Sequence, residues 1–110
     1  MNHEKLDCYQ RLIQWIKEVQ KEMPTFPRSY GELSDQLKRA LISSVCNLVE
    51  GNGRTHTKER KRFFNISTSS ITEVAGILDL MGVFNLKPQT KITEWKEELR
   101  AIYKMIRSLP

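Results

Sequence analysis

Glycine and proline are scarce in this chain, five and four among 110 residues, too few for the many tight turns of a β-sandwich or barrel. Cysteine is scarcer still: Cys8 and Cys46 are too few and too far apart to build a disulfide framework. Both are read as small helix-packing residues, kept reduced in the cytoplasm. His3 and His56 each stand alone in polar surroundings, so no metal-ligand spacing exists and no cofactor is expected. No run approaches the ~20 consecutive apolar residues of a membrane span, and the opening MNHEKLDCYQ lacks the charged-then-apolar order of a signal peptide. A cytoplasmic protein with no membrane partner is therefore expected. Phosphate-loop, nucleophile-elbow and paired-histidine zinc signatures are missing as well, which speaks against the commoner enzyme classes.

What is present is helical periodicity in a chain of one-domain length, 1–110. Residues 5–23 place Leu6, Tyr9, Ile13, Ile16 and Met23 on one stripe and Leu12, Trp15 and Val19 on a neighbouring one, predicting a first helix with two apolar faces. Pro24 and Pro27 are expected to end it. Residues 31–50 carry Leu33, Leu37, Ala40, Leu41, Ser44, Val45 and Leu48, a stripe partly built from small residues that lets helices approach closely. Gly51 and Gly53 then suit a C-cap and a tight turn.

A third helix is predicted over residues 57–83, with Thr57 as its N-cap and Phe63, Phe64, Ile66, Ile71, Val74, Leu78 and Met81 as apolar positions. Its middle, NISTSSITEV, is rich in residues that favour caps and turns, yet the apolar period runs through it without slipping, so the helix is kept whole. Residues 88–108 place Ile92, Trp95, Leu99, Ile102, Ile106 and Leu109 at alternating steps of three and four, with a mixed-charge solvent face between them. Four helices with short links predict an all-α, antiparallel up-down-up-down four-helix bundle.

The charge is local. Between residues 54 and 62 stand Arg54, Lys58, Arg60, Lys61 and Arg62 against Glu59 alone, a net +4 of the chain's +5. Lys58, Lys61 and Arg62 fall near a helix start, where the dipole disfavours cations by a few tenths of a kcal/mol each. Clustered cations beside free first-turn N–H groups favour phosphate. These five residues are the candidate nucleic-acid contacts. Phe63 and Phe64 follow directly, but core packing is the stronger reading for both, so the patch suggests phosphate contact without base readout.

Glu50, Glu73 and Asp79 are the acidic residues in apolar surroundings. Buried carboxylates can act as acid and base, but they more often meet an Arg or a backbone donor. Arg39, Asn47, Glu50, Ser70 and Glu73 are read as a structural polar network where the second and third helices meet, with Glu50 at its helix-end edge.

The string YGELSDQLKRALISSVCNLVEGNGR over residues 30–54, followed by RFFNISTSSITEVAGILDL over 62–80, resembles the four-helix-bundle proteins encoded by intervening sequences in bacterial 23S ribosomal RNA genes. The matching positions are Gln36, Arg39, Ala40, Ser43, Asn47, Glu50, Gly51, Gly53 and Arg54, then Arg62, Phe63, Ser70 and Glu73. Val45 stands where many relatives carry Pro, which predicts a straight second helix. The resemblance implies an antiparallel bundle that assembles as a homopentamer and has a link to RNA or DNA. Accessory variability proteins of diversity-generating retroelements are similar in fold, and that likeness implies a reverse transcriptase as an alternative partner. The leading expectation is a non-enzymatic oligomer that binds nucleic acid; the alternatives are a scaffold for a reverse transcriptase and an enzyme built on Glu50 or Glu73.

Overall fold

The computed structural model describes residues 1–23 and 26–110. Pro24, expected to end the first helix, lies with Thr25 outside the described residues. Four α-helices follow in order: α1 Asp7–Gln20, α2 Gly31–Gly53, α3 Thr57–Val83 and α4 Gln89–Arg107. Short 3-10 turns at Asn2–Lys5 and Arg28–Tyr30 lead into α1 and α2.

Side-chain pairs set the helix directions. Arg11 and Trp15 of α1 meet Glu98 and the Trp95 carbonyl of α4, the indole Nε1 donating at 3.0 Å. Rising numbers on one helix thus meet falling numbers on the other. The same reversed order links Ser43 and Ser44 of α2 to Ser70 and Ser67 of α3, and holds between α3 and α4, where Asp79 meets Lys96 at 2.6 Å and Lys61 shares a hollow with Arg107. The bundle is antiparallel and elongated, 43 × 23 × 21 Å.

α1 buries Cys8, Leu12, Trp15 and Val19. Of the two expected stripes, the one of Leu12, Trp15 and Val19 forms the core, while Leu6, Tyr9, Ile13 and Ile16 of the other stay half-buried and Met23 at its end is buried. α4 buries Ile92, Trp95, Leu99, Ile102 and Ile106, as its period of three and four predicts.

α3 is unbroken through its Ser/Thr-rich middle. Propensity alone would interrupt it, but each buried hydroxyl finds an acceptor. Ser67 Oγ donates to the Ser44 carbonyl at 2.7 Å, and Thr68 Oγ1 donates back to the Phe64 carbonyl at 3.1 Å. Among the described residues no buried side-chain polar atom is left without a partner, so burying hydroxyls here avoids the usual desolvation penalty. Their small size also lets α2 and α3 approach closely. By length and composition α3 is apolar enough to cross a membrane. Here that composition serves a central bundle helix, burying Phe64, Ile71, Val74, Ile77, Leu78 and Met81.

α2 runs three residues past the expected stop, to Gly53, and neither Gly51 nor Gly53 takes a positive φ. The glycines are therefore not left-handed caps. Gly51 is needed for space: a Cβ there would lie 2.7 Å from Phe64 Cε1 and 3.1 Å from Phe63 Cβ. The left-handed residue lies elsewhere, at Asn85 (φ 57°) after α3. There Leu86 N–H donates to the Met81 carbonyl at 2.9 Å and Asn85 N–H to the Gly82 carbonyl at 3.1 Å, a Schellman cap.

Candidate nucleic-acid interface

The candidate site is the corner between α2 and α3. α2 ends at Gly53, Arg54 turns the chain out in extended backbone, and α3 begins at Thr57 with His56 as its N-cap. The cap thus lies one residue before the expected Thr57, and no side chain caps it. First-turn N–H groups remain open, and the positive end of the helix dipole faces outward.

The five cations of the sequence patch divide into three roles. Lys58, Lys61 and Arg62 are exposed and form no ion pair among the described residues. Their spacing of three and four puts them on one face of α3's first turns. This is the free cationic surface.

Arg60 points the other way. Its Nη1 donates to the carbonyls of Gly51, Asn52 and Arg54 at 3.2, 3.0 and 2.9 Å, and its Nε donates to the Pro110 backbone oxygen at 3.1 Å. The guanidinium supplies donors to carbonyls at the end of α2, of which Gly51's also accepts the Arg54 N–H at 3.2 Å. Its contacts are those of a structural lock, and the expectation of Arg60 as a phosphate ligand is revised accordingly.

Arg54 is largely neutralised. Its Nη2 lies 2.6 Å from Glu50 Oε1, and its Nη1 lies 3.9 Å from Glu59 Oε2. Counting Glu50, the corner from residue 50 to 62 has a net charge of +3, one less than the run of 54–62 by itself. Arg54 also stacks over the Phe63 ring at 5.0 Å, with Arg62 over the same ring at 4.8 Å. Phe63 is therefore only half-buried, correcting its expected place in the core, while Phe64 is buried under Arg60 at 5.3 Å. Adjacent positions on a helix point about 100° apart, so one ring had to face outward.

The expected polar network separates into three parts. Glu73 accepts from Gln36, which in turn accepts from Arg39 at 2.7 Å. Ser70 donates to Ser43 Oγ at 2.7 Å, and Asn47 donates to the Ser43 carbonyl at 2.8 Å. Glu50 belongs to the Arg54 pair instead. Gln36 and Ser43 are the relays that joined the named residues, and their helical spacing from Arg39 and Asn47 was the available signal. Glu50, Glu73 and Asp79 are all exposed, which corrects their placement in apolar surroundings and removes the burial that an acid-base pair would use. Cys46 is likewise exposed, while Cys8 is buried and its thiol is pushed up by desolvation.

Arg107 of α4 is the cation that sequence reading left on a solvent face. It lies across a hollow of about 330 Å³ from Lys61. Only the packing of α4 beside α3 places it there.

An antiparallel four-helix bundle with exposed cations at one helix corner defines a class of helical proteins that present a charged surface. Within that class the assignment is specific: the chain belongs to the 23S rRNA-intervening sequence protein family, which it matches over residues 4–108. The resemblance carried by residues 30–54 and 62–80 thus extends along nearly the whole chain. No curated protein matches it.

Proposed function

We propose that this protein is a non-enzymatic, self-associating nucleic-acid-binding protein that holds RNA or DNA by phosphate contacts. The observation that carries this reading is the set of Lys58, Lys61 and Arg62, exposed on one face of α3 and without an acidic partner among the described residues. The open first turn of α3 adds N–H donors and a favourable dipole to the same surface. Phosphate recognition of this kind releases counterions and reads little sequence.

Self-association is supported by apolar surface left on the bundle. Ile42 of α2 is 61% exposed beside half-buried Val45 and Val49. A homopentamer is the assembly that the family resemblance implies. Each added copy would repeat the cationic corner and strengthen the pull on a polyanion.

The test is fluorescence anisotropy with labelled RNA and DNA of mixed sequence across a salt series, with mass determination by light scattering. Binding should weaken steeply with salt, with a log-log slope of about −2 to −3 per protomer from three phosphate contacts. K58E/K61E/R62E should abolish it. Undetectable binding at low salt, or an unchanged affinity in that variant, refutes the nucleic-acid reading; a monomeric mass at every concentration refutes the assembly.

A further inference from the structure

Three hollows on the molecule's surface fall in a row between α3 and α4. The first separates Lys61 and Asn65 from Arg107 and measures about 330 Å³. Asn65 and Arg107 also wall a second, of about 180 Å³, together with Thr72 and Tyr103. Thr72 and Tyr103 in turn wall a third, of about 220 Å³, that reaches Arg100 and the aliphatic side chains of Ile71, Ala75 and Leu99. Shared walls make these one trough. Each helix contributes a single ridge at steps of four, three and four: Lys61, Asn65, Thr68 and Thr72 on α3, and Lys96, Arg100, Tyr103 and Arg107 on α4. At 1.5 Å per residue the α4 ridge spans roughly 16 Å.

The chemistry is graded along that length. Lys61, Arg100 and Arg107 are exposed and form no ion pair among the described residues. No carboxylate lines any of the three hollows; Asp79 lies beyond them, paired with Lys96 at 2.6 Å. Thr68 and Thr72 spend their hydroxyl protons on backbone oxygens of α3 at 3.1 and 3.0 Å. Asn65 and Ser69 have no side-chain partner among the described residues, so their donors are free. One end therefore offers cations and polar donors, and the other adds aliphatic walls and the half-buried Tyr103 ring beside Arg100 and Lys96.

We propose that this trough holds a short single-stranded stretch of nucleic acid, with phosphates at Lys61, Arg107 and Arg100 and a base against Tyr103. The inference rests on the nucleic-acid reading above and narrows it to the strand form. Bases in a duplex are stacked and paired, with no free face for a side chain, whereas an unpaired base can stack on an aromatic ring while cations follow its backbone. Lys61 belongs to both the corner and the trough, which lets a strand bound at one continue into the other.

The test compares a labelled single-stranded oligonucleotide with the same sequence as a blunt duplex. R100E/R107E should weaken single-strand binding by about tenfold or more at low salt and change duplex binding by less than about twofold. Tyr103→Leu should weaken single-strand binding by about fivefold without changing its salt slope. If R100E/R107E binds the single strand normally while K58E/R62E loses both forms, the trough is refuted and the corner stands. If the unaltered protein binds neither form, both fall. Displacement of the oligonucleotide by polyglutamate as readily as by unlabelled strand would overturn the trough in favour of an acidic protein partner. Circular dichroism checks that each variant folds, and Arg100→Gln with Arg107→Gln repeats the test if the charge reversals do not.

Discussion

Gly51 of α2 faces the Phe64 ring of α3 so closely that an added Cβ would sit 2.7 Å from Cε1 and 2.8 Å from Cδ1. Phe64 is 4% exposed and lies under the Arg60 guanidinium. Gly51→Ala should destabilise the bundle by about 1 to 3 kcal/mol through overpacking. Gly53, with nothing within 4 Å of its Cβ position, is the matched control. Gly53→Ala should be neutral or stabilise by up to ~1 kcal/mol, since both glycines are helical. Urea unfolding of the two variants measures the contrast, and equal losses would refute the steric account.

Arg60 and Lys58 should separate stability from binding. Arg60→Ala removes the donors that serve three carbonyls at the end of α2. A cost of about 1 to 3 kcal/mol follows from taking the guanidinium away from the partly buried Asn52 and Arg54 carbonyls, the Gly51 carbonyl keeping the Arg54 N–H. Lys58→Ala touches no such contact and should stay within about 0.5 kcal/mol of the parent. Affinity for nucleic acid should respond in the opposite order, with the salt slope falling by about one for Lys58→Ala and holding for Arg60→Ala. Thermal melts and anisotropy on the same samples decide it.

Asn85 ends α3 with φ at 57°, a conformation that costs an ordinary L-residue roughly 1 to 2 kcal/mol. Asn85→Gly is expected to hold or raise the unfolding midpoint. Asn85→Val should lower stability by about 1 to 2 kcal/mol, because a β-branched side chain crowds the left-handed backbone that lets Leu86 N–H reach the Met81 carbonyl. A tolerated valine would mean that the cap is not holding the turn.

Acid should act through Glu22. Hydrogen bonding from Lys87 holds the Glu22 carboxyl below the usual carboxylate range. A group whose folded pKa lies below its unfolded one contributes stability above the unfolded value and loses it as pH falls through the folded one. The unaltered protein should therefore lose stability on acidification below the ordinary glutamate range, and Lys87→Met should flatten that part of the curve. Melting temperature against pH for the two proteins is the measurement. Parallel curves would show that this pair does not couple to folding.

The helices were legible from periodicity because burial of one stripe dominates their energy. α4 is the clearest case, every residue of its predicted stripe from Ile92 to Ile106 being buried. α1 was harder: Leu12 and Ile13 are both apolar, and only the position of α4 decides that Leu12 faces inward and Ile13 stays half-exposed. The relays Gln36 and Ser43 were hidden for a related reason, since a hydrogen bond between helices depends on their register, which neither helix specifies alone.

What the sequence determined by itself is the four-helix pattern and the place of the charge, both carried by local spacing, and the family, carried by the motifs of residues 30–54 and 62–80. Tertiary structure decided what each charge does. Arg60 and Lys61 are neighbours of like charge, yet the helix turns one into the carbonyls at the end of α2 and leaves the other facing solvent and Arg107. The reason is that partners from α2 and α4 arrive only when the bundle closes. A cation's role depends on which partners reach it.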